Sequence, residues 1–249
     1  MRTWTHLEYA EAAGREITRM AGAVRGLDPA APVPTCPGWN VADLVAHTGM
    51  VHRWAAAMVR DAAPRRYDRD AMDHGIPVDF AGYPGWLEAG GAVLVEALKG
   101  QDPDTEVWGW AGDRRARFWS RRQLHETVVH RADAEIAGGV APLVDEDVAA
   151  DGVEEFFDVL PYARWRPEVA ELRGDGETIS WQTGGAGWLV RLSPDGYTYE
   201  RSGEPGTVTV RAGTAGELML IAWGRRDPED HAVEGDAALL RWWSERSRI

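Results

Sequence analysis

The residues best placed to do chemistry are a glutamate and a histidine four positions apart, Glu126 and His130. On a helix, side chains with this spacing leave the same face about 6 Å apart, so together they can offer two ligands to a metal ion. Asp133 continues this face and is available as an acceptor for a ligating imidazole or as an alternative ligand. A solvated Glu–His pair has the same spacing, and the spacing alone leaves both interpretations open.

A candidate third ligand is His47, which lies within an apolar stretch around residues 44–51. If this stretch forms an inward-facing helix, the imidazole needs a polar partner, and a facing Glu126 and His130 would supply one through a metal. Two histidines and one glutamate leave a fourth position open, which is typical of catalytic rather than structural zinc sites. The three residues together are therefore a candidate site for one divalent metal.

Three further residues could contribute to the site: Asp43, His52 and the single cysteine, Cys36. His52 lies about 140° further around the same helix and is not expected to join the site, whereas Asp43, one turn before His47, can do so. Cys36 has no base near it in the local sequence, so we interpret it as a small buried hydrophobic residue rather than a nucleophile. One cysteine also excludes an intramolecular disulfide framework and a cysteine-based zinc ribbon.

The elements that must position these residues are helices in the first half of the chain. Four helices are predicted, over residues 5–24, 40–60, 85–99 and 120–137. Thr5 with Glu8, and Ser120 with Gln123, have the spacing of capping boxes that begin the first and fourth helices. The segment 61–84 shows no period and predicts a long irregular connection of the kind that is often functional. Four helices with a long middle connection favour a four-helix bundle.

In the second half of the chain the periodicity changes. A helix over 147–160 precedes four short segments rich in β-branched and aromatic residues, separated by turns that contain glycine and proline. These predicted strands cover residues 178–183, 188–192, 197–201 and 207–211. We expect an antiparallel meander, then an apolar helix over 215–223 and a terminal helix ending near Trp243. The predicted fold class is α+β, with a helical bundle over 1–144 and a smaller domain with an antiparallel sheet over 145–249.

Composition limits the classes of partner. Hydrophobic residues make up 44% of the 249 residues and charged residues 27%, which is typical of a globular protein with a real core. The net charge of −13 argues against nucleic-acid and anionic-membrane partners, since both need a basic surface. With no apolar leader and no stretch of about 18 uninterrupted apolar residues, we expect neither a signal peptide nor a membrane span and predict a cytoplasmic protein.

Three segments carry a family resemblance. They are CPGWNVADLVAH at residues 36–47, HETVVHRADAE at 125–135 and LMLIAWGR at 218–225. These segments resemble motifs of the mycothiol-dependent maleylpyruvate isomerase family, whose members combine a DinB-like metal-binding four-helix bundle with a sterol-carrier-like α+β domain. By this resemblance the metal ligands of the family fall on His47, Glu126 and His130. Arg225 matches an arginine that reaches toward the metal cleft.

The resemblance also implies a function. The metal would be zinc or another divalent ion, and the thiol cosubstrate would be mycothiol, activated as a thiolate at the open metal position. The thiolate would act on an electrophilic small molecule, either by cis–trans isomerisation like that of maleylpyruvate or by S-transfer. Arg225 would bind the carboxylates of an acidic substrate, and Arg121, Arg122 and Arg131 are candidates for a local basic patch. No residue is assigned to the thiol itself.

Two other functions are compatible with the same residues. A metal-dependent hydrolase would use the open position to activate water, and a non-catalytic metal-binding regulatory protein would keep the bundle for structure. Dependence on a thiol separates the first function from a hydrolase, and joint loss of activity and fold upon chelation would favour a structural metal. The electrophile, the native metal, the oligomeric state and the role of residues 61–84 stay open.

Overall fold

The computed structural model describes residues 3–249 and divides into two units, the first ending at Leu143 and the second running from Val144 to Ile249. The first unit is built of helices, and the second combines helices with a five-stranded sheet. The predicted α+β fold class, with a helical bundle preceding a smaller part that contains the sheet, is thereby confirmed. Within the described residues, no helix is both long enough and apolar enough to cross a lipid bilayer.

The first unit contains four long helices, α1 (His6–Val24), α2 (Val41–Arg60), α3 (Tyr83–Gly100) and α4 (Ala116–Ala137). Helix α1 packs against α3 and α4, and α2 packs against the same two helices, which is the arrangement of a four-helix bundle. Fully buried apolar side chains such as Met20, Leu44 and Leu124 fill its centre. The connection between α2 and α3 contains one short 3-10 turn at Phe80–Gly82 and is otherwise irregular, as predicted.

Capping residues determine where two of these helices begin. Thr5 and Glu8 form the predicted capping box of α1, since the Thr5 hydroxyl accepts from the Glu8 N–H and the Glu8 carboxylate accepts from the Thr5 N–H. Asn40 and Asp43 make the same reciprocal pair at the start of α2. Asp43 therefore serves the helix end, where backbone N–H groups lack partners within the helix.

The predicted start of α4 is wrong. The helix begins at Ala116, so Ser120 lies inside it, where its hydroxyl donates to the Arg117 carbonyl instead of capping. Burial explains the extension, because Phe118 and Trp119 in the added turn are almost fully buried. The free energy of removing two aromatic side chains from water, roughly 2 kcal/mol each, exceeds the preference for a helix start at Ser120.

Glycines let α3 lie close to its neighbours. Gly90 and Gly91 do not interrupt α3, although glycine inside a helix is destabilising. A Cβ atom on Gly91 would lie 2.6 Å from a side-chain carbon on α1, and one on Gly90 would lie 2.1 Å from the Arg53 guanidinium on α2. On the facing helix, a Cβ on Gly49 would lie 2.1 Å from the Trp86 ring. At each of these three positions, the absence of a side chain allows two helices to approach closely.

The second unit begins with α5 (Glu146–Val159), followed by strands β1 (Thr178–Gln182), β2 (Gly187–Ser193), β3 (Gly196–Arg201) and β4 (Val208–Arg211). Helix α6 (Ala215–Ala222), strand β5 (Ala232–Gly235) and helix α7 (Ala237–Arg246) complete it. Helix α5 packs on the sheet and on α7, since the Phe157 ring contacts that of Trp181 in β1 and that of Trp243 in α7. These three buried aromatic side chains belong to the core of this unit.

The prediction of an antiparallel meander is correct for strands β1 to β3 but wrong for β4. Strands β1, β2 and β3 pair in succession and antiparallel, but β4 pairs with β1 and runs parallel to it. The strand order is therefore β3-β2-β1-β4-β5. Burial explains the difference, because Val208 and Val210 of β4 are fully buried while β3 is largely exposed and suits an edge. Strand β5 was not predicted, since Val233 is its only residue of high strand propensity.

Candidate metal centre

Helices α2 and α4 bring the three candidate ligands together. Glu126 and His130 lie one turn apart on α4, and His47 lies on α2. Nε2 of His47 lies 3.3 Å from Oε1 of Glu126, and Nε2 of His130 lies 3.4 Å from the same oxygen. All three donor atoms lie within 4.8 Å of one another. The residues singled out by type and spacing therefore form one cluster, although His47 and Glu126 are 79 positions apart in the sequence.

The distances in this cluster fit a single divalent cation. Ligand atoms about 2.05 Å from a tetrahedral zinc ion are separated from one another by about 3.3 Å, close to both distances measured at Oε1 of Glu126. The side chains of His47 and Glu126 are 23% and 21% exposed, so an external ligand can reach the cluster. Three protein donors leave a four-coordinate ion with one position for such a ligand.

An outer hydrogen bond orients His130. Its Nδ1 lies 2.9 Å from Oδ2 of Asp133, which is completely buried. Because an ionised carboxylate only accepts, the imidazole donates from Nδ1, and Nε2 is the nitrogen left to bind a cation. Asp133 thus occupies the acceptor position that the helix spacing predicted for it.

The position of Cys36 corrects our interpretation of this residue. Cys36 is half-buried, and its thiol donates to Oδ2 of Asp133 with a separation of 3.3 Å, so it is not simply an apolar core residue. Its sulfur, His130 and Asp133 form a second group of potential metal donors that shares His130 with the first. Local sequence did not reveal this contact, because Cys36 and Asp133 are 97 positions apart.

Two arginines of α4 are committed to buried ion pairs. Nη2 of Arg122 lies 3.0 Å from Oε2 of Glu126, and the Arg122 side chain is 5% exposed. Arg131 is equally buried and pairs with Glu16 and Glu135. Arg122 and Arg131, two of the candidates for a basic patch, are therefore withdrawn from solvent and paired with carboxylates of the bundle, so neither is exposed to bind a substrate anion.

The cluster sets the ionisation of its members. Burial would raise the pKa of Glu126, but hydrogen bonds from His130 and His47 hold that pKa well below its usual value. Burial likewise opposes the charged form of His130, yet contacts with Asp133, Cys36 and Glu126 raise its pKa well above the usual value. At His47 burial dominates and lowers the pKa. Glu126 is thus ionised and His47 neutral, the forms in which both bind cations, whereas His130 is protonated in the metal-free cluster and must release its Nε2 proton when a cation binds.

Trp39 lies beside both candidate histidines. Its ring is centred 4.8 Å from the His47 ring and 6.1 Å from the His130 ring. Sequence reasoning did not assign it a role, although it lies inside the first of the three motif segments. His52, by contrast, is fully buried with Nε2 2.9 Å from the Thr127 hydroxyl. It stays outside the cluster, as its position on the helix predicted.

Arg225 lies in the second unit, directly after α6. Gly224 adopts a left-handed φ of 71°, and the Arg225 N–H donates to the Leu220 carbonyl at 2.7 Å, as in a Schellman helix ending. The side chain turns back, with Nη1 donating to the Trp223 carbonyl at 2.6 Å. These contacts stabilise the end of α6, and the binding of substrate by Arg225 stays a prediction.

The first unit therefore defines a class of protein, a four-helix bundle that carries a candidate mononuclear metal centre of two histidines and one glutamate on two of its helices. Comparison with family models is more specific. Residues 10–135 match the mycothiol maleylpyruvate isomerase N-terminal domain, and residues 147–241 match the C-terminal domain of the same family. The chain belongs to the mycothiol-dependent maleylpyruvate isomerase family, which confirms the resemblance seen in the sequence.

Individual proteins add little to this assignment. No curated protein matches the chain. Among solved structures, the chain is similar to a double mutant of the sec-alkyl sulfatase PisA1, at 15% identity and a TM-score of 0.30, over 93% of this chain and 32% of that one. The chain thus spans about a third of the length of that protein, and a likeness at this level supports no conclusion about function.

Proposed function

We propose that the chain is a metal-dependent enzyme that uses mycothiol to transform an electrophilic small molecule, by cis–trans isomerisation of a maleylpyruvate-like substrate or by S-transfer. Family membership supports the thiol and the substrate class. The observation that carries the proposal is the convergence of Nε2 of His47, Nε2 of His130 and Oε1 of Glu126 at separations that suit one ion. Zinc is the proposed ion, because this donor set suits tetrahedral coordination.

Thiol activation is the chemistry that such a site supports. A free thiol, with a pKa of about 8.5, is mostly protonated at neutral pH, whereas a bound divalent cation holds a coordinated thiol as the nucleophilic thiolate. Addition of a thiolate to a conjugated cis double bond, rotation about the resulting single bond and elimination give the trans isomer. An S-transferase performs the addition and keeps the adduct.

The residues of the bundle would prepare the site for this reaction. His47, Glu126 and His130 would hold the ion, and Asp133 keeps Nε2 of His130 directed at Glu126. Trp39, packed beside both imidazoles, would limit their rotation and the access of water from its side. A site held in this way loses little free energy to reorganisation when the sulfur binds.

Arg225 is the proposed binding residue for the carboxylates of an acidic substrate. Its match to the third motif segment and the assignment of residues 147–241 to the family support this role. A guanidinium group offers a planar fork that binds a carboxylate through two hydrogen bonds. The overall charge of −13 would repel such a substrate, so a dedicated cation would favour its binding.

Thiol dependence tests the proposed function. Zinc-loaded protein is titrated with mycothiol by calorimetry, with N-acetylcysteine as the small-thiol control, and turnover of maleylpyruvate is followed with and without mycothiol. We expect tighter binding of mycothiol than of the control, and turnover only when mycothiol is present. Hydrolysis of an ester or amide without any thiol would indicate a metal-dependent hydrolase instead. A zinc-loaded protein that binds neither mycothiol nor N-acetylcysteine, and that transforms neither maleylpyruvate nor an ester or amide, would contradict the enzymatic proposal.

A further inference from the structure

The two oxygens of the Glu126 carboxylate have different partners. Oε1 lies 3.3 Å from Nε2 of His47 and 3.4 Å from Nε2 of His130, whereas Oε2 lies 3.0 Å from Nη2 of Arg122. The Glu126 and Arg122 side chains are 21% and 5% exposed, so water screens this ion pair only weakly. One oxygen therefore faces the imidazoles, and the other is held by a guanidinium one turn earlier on α4.

We propose that Arg122 is a positioning residue that limits Glu126 to coordination through Oε1 and so keeps a position on the metal open for the thiol. The proposal rests on the proposed function, since it concerns the same ion and the same thiol. A carboxylate can bind a divalent cation through one oxygen or through both, and a charge-assisted hydrogen bond to Oε2 competes with the second mode. Binding through both oxygens would occupy the place of an external sulfur.

The charge of Arg122 acts in the same direction. Arginine is permanently charged in proteins, so Arg122 adds a fixed positive charge beside the ligand Glu126. This charge disfavours the binding of a cation and favours the binding of an anionic thiolate. Its removal should therefore leave metal binding unchanged or stronger while it weakens thiol binding. If Arg122 only supported the structure of α4, its removal would loosen the site and weaken both.

The full-length chain and its Arg122→Met variant provide the test. Methionine keeps a long unbranched side chain but has neither the charge nor the donors. Infrared difference spectra between metal-free and zinc-loaded protein distinguish a carboxylate bound through one oxygen from one bound through both. We expect the wild type to show the first signature and Arg122→Met the second. Competition with a chelator should give unchanged or higher zinc affinity, and the affinity for mycothiol should fall about 10-fold or more.

Two further variants serve as controls. Arg117→Met removes the same charge from the same helix, but Arg117 pairs with Asp113 and Asp104 rather than with Glu126. We expect it to leave the infrared signature, zinc affinity and thiol affinity unchanged. Arg122→Leu also lacks the charge and the donors, and it replaces Arg122→Met if melting curves show that the methionine variant does not fold.

The outcomes separate this proposal from the proposed function. Binding of Glu126 through one oxygen in wild type and variant alike, or a zinc affinity that falls together with thiol affinity, would overturn the role of Arg122. The infrared signature is read without thiol. A wild type that binds zinc through one oxygen yet ignores mycothiol, with the second signature in Arg122→Met, would contradict the thiol function and support the role of Arg122 in coordination. A wild type that binds no metal would contradict both.

Discussion

His130 lies between two carboxylates, with Nδ1 2.9 Å from Asp133 and Nε2 3.4 Å from Glu126. An imidazole that donates from one nitrogen is fixed in orientation and becomes a better ligand at the other. Cys36 donates to the same oxygen of Asp133, so this carboxylate is itself held in place. At the scale of single residues, the candidate metal centre therefore depends on Asp133 as well as on the three candidate ligands.

The first prediction concerns this outer carboxylate. Asp133→Ala removes the acceptor of His130 Nδ1, so the ring can rotate and adopt the other tautomer. We expect zinc affinity to fall by about 10- to 100-fold, measured by competition with a chromophoric chelator. Thr127→Ala is the matched control, because it removes the imidazole partner of His52, which lies outside the cluster. Equal zinc affinity in wild type and Asp133→Ala would show that Asp133 does not support the site.

The second prediction is a dependence of stability on pH in the metal-free protein. Burial lowers the pKa of His52 to about 3, compared with about 6.5 in an unfolded chain. Between these values the unfolded state binds a proton that the folded state does not, so stability falls as the pH falls below about 6.5. His52 should account for a loss of about 2 kcal/mol between pH 7 and pH 5.

Denaturant unfolding of wild type and His52→Gln at these two pH values measures that contribution. The variant has a lower stability at pH 7, because it loses packing in the core, but it should lose less stability upon acidification. An identical change of unfolding free energy in both proteins would mean that His52 is not held neutral by burial.

The candidate ligands were easier to identify from the sequence than the side chains that contact them. The pairing of Glu126 with His130 is a property of one helix, and its spacing alone places both side chains on one face. The contact between Cys36 and Asp133 joins distant parts of the chain and requires the tertiary structure. Arg122 was a candidate for a local basic patch, because a sequence does not show that Glu126, its neighbour on α4, pairs with it in the folded bundle.

At the scale of elements, the bundle depends on close contact between α2 and α3. Because a Cβ on Gly49 would lie 2.1 Å from the Trp86 ring, Gly49→Ala should force these helices apart and destabilise the protein by about 1–2 kcal/mol. Gly22 in α1 has no heavy atom within 4 Å of the equivalent Cβ position. Gly22→Ala should therefore stabilise the protein by about 0.5–1 kcal/mol through helix propensity.

Melting curves of the two glycine variants measure this third prediction. The same chemical change should move the melting temperature in opposite directions, down for Gly49→Ala and up for Gly22→Ala. A stabilising effect at Gly49 would mean that α2 and α3 do not meet there as closely as described.

Some helix ends and strand pairings could not be predicted from the sequence, because they depend on burial in the folded protein. Capping signals predicted the start of α1 correctly, since Thr5 and Glu8 act locally. At α4 the signal at Ser120 was overridden by the burial of Phe118 and Trp119. Strand periodicity located β1 to β4, but the pairing of β4 with β1 depends on which strand can be buried, a property of the whole sheet.

At the scale of the whole molecule, the candidate ligands and the proposed substrate arginine belong to different units. His47, Glu126 and His130 lie before Leu143, and Arg225 lies after it. The change from helical to strand periodicity predicts a domain boundary near residue 145. The sequence did not indicate the structural use of Arg225 at the end of α6, where the side chain donates to the Trp223 carbonyl.

The fourth prediction tests whether Arg225 has a role beyond this helix end. Arg225→Lys keeps the charge but lacks the planar fork, so turnover of a dicarboxylic substrate should fall about 10-fold or more, while zinc content and melting temperature stay close to those of the wild type. Arg226→Lys is the matched control at the adjacent position and should keep its turnover. Wild-type turnover in both Arg225→Lys and Arg225→Ala would leave Arg225 as a helix cap.

Metal stoichiometry tests the central claim most directly. The full-length protein is loaded with zinc, freed of unbound ions and analysed by mass spectrometry for metal per chain, alongside His47→Ala, His130→Ala and the control His231→Ala, which changes a histidine of the second unit. We expect about one zinc ion per chain in the wild type and the control, and loss of the ion in His47→Ala and His130→Ala. A wild-type protein that stays free of metal after loading, or variants that keep the full content, would contradict a metal centre at His47, Glu126 and His130.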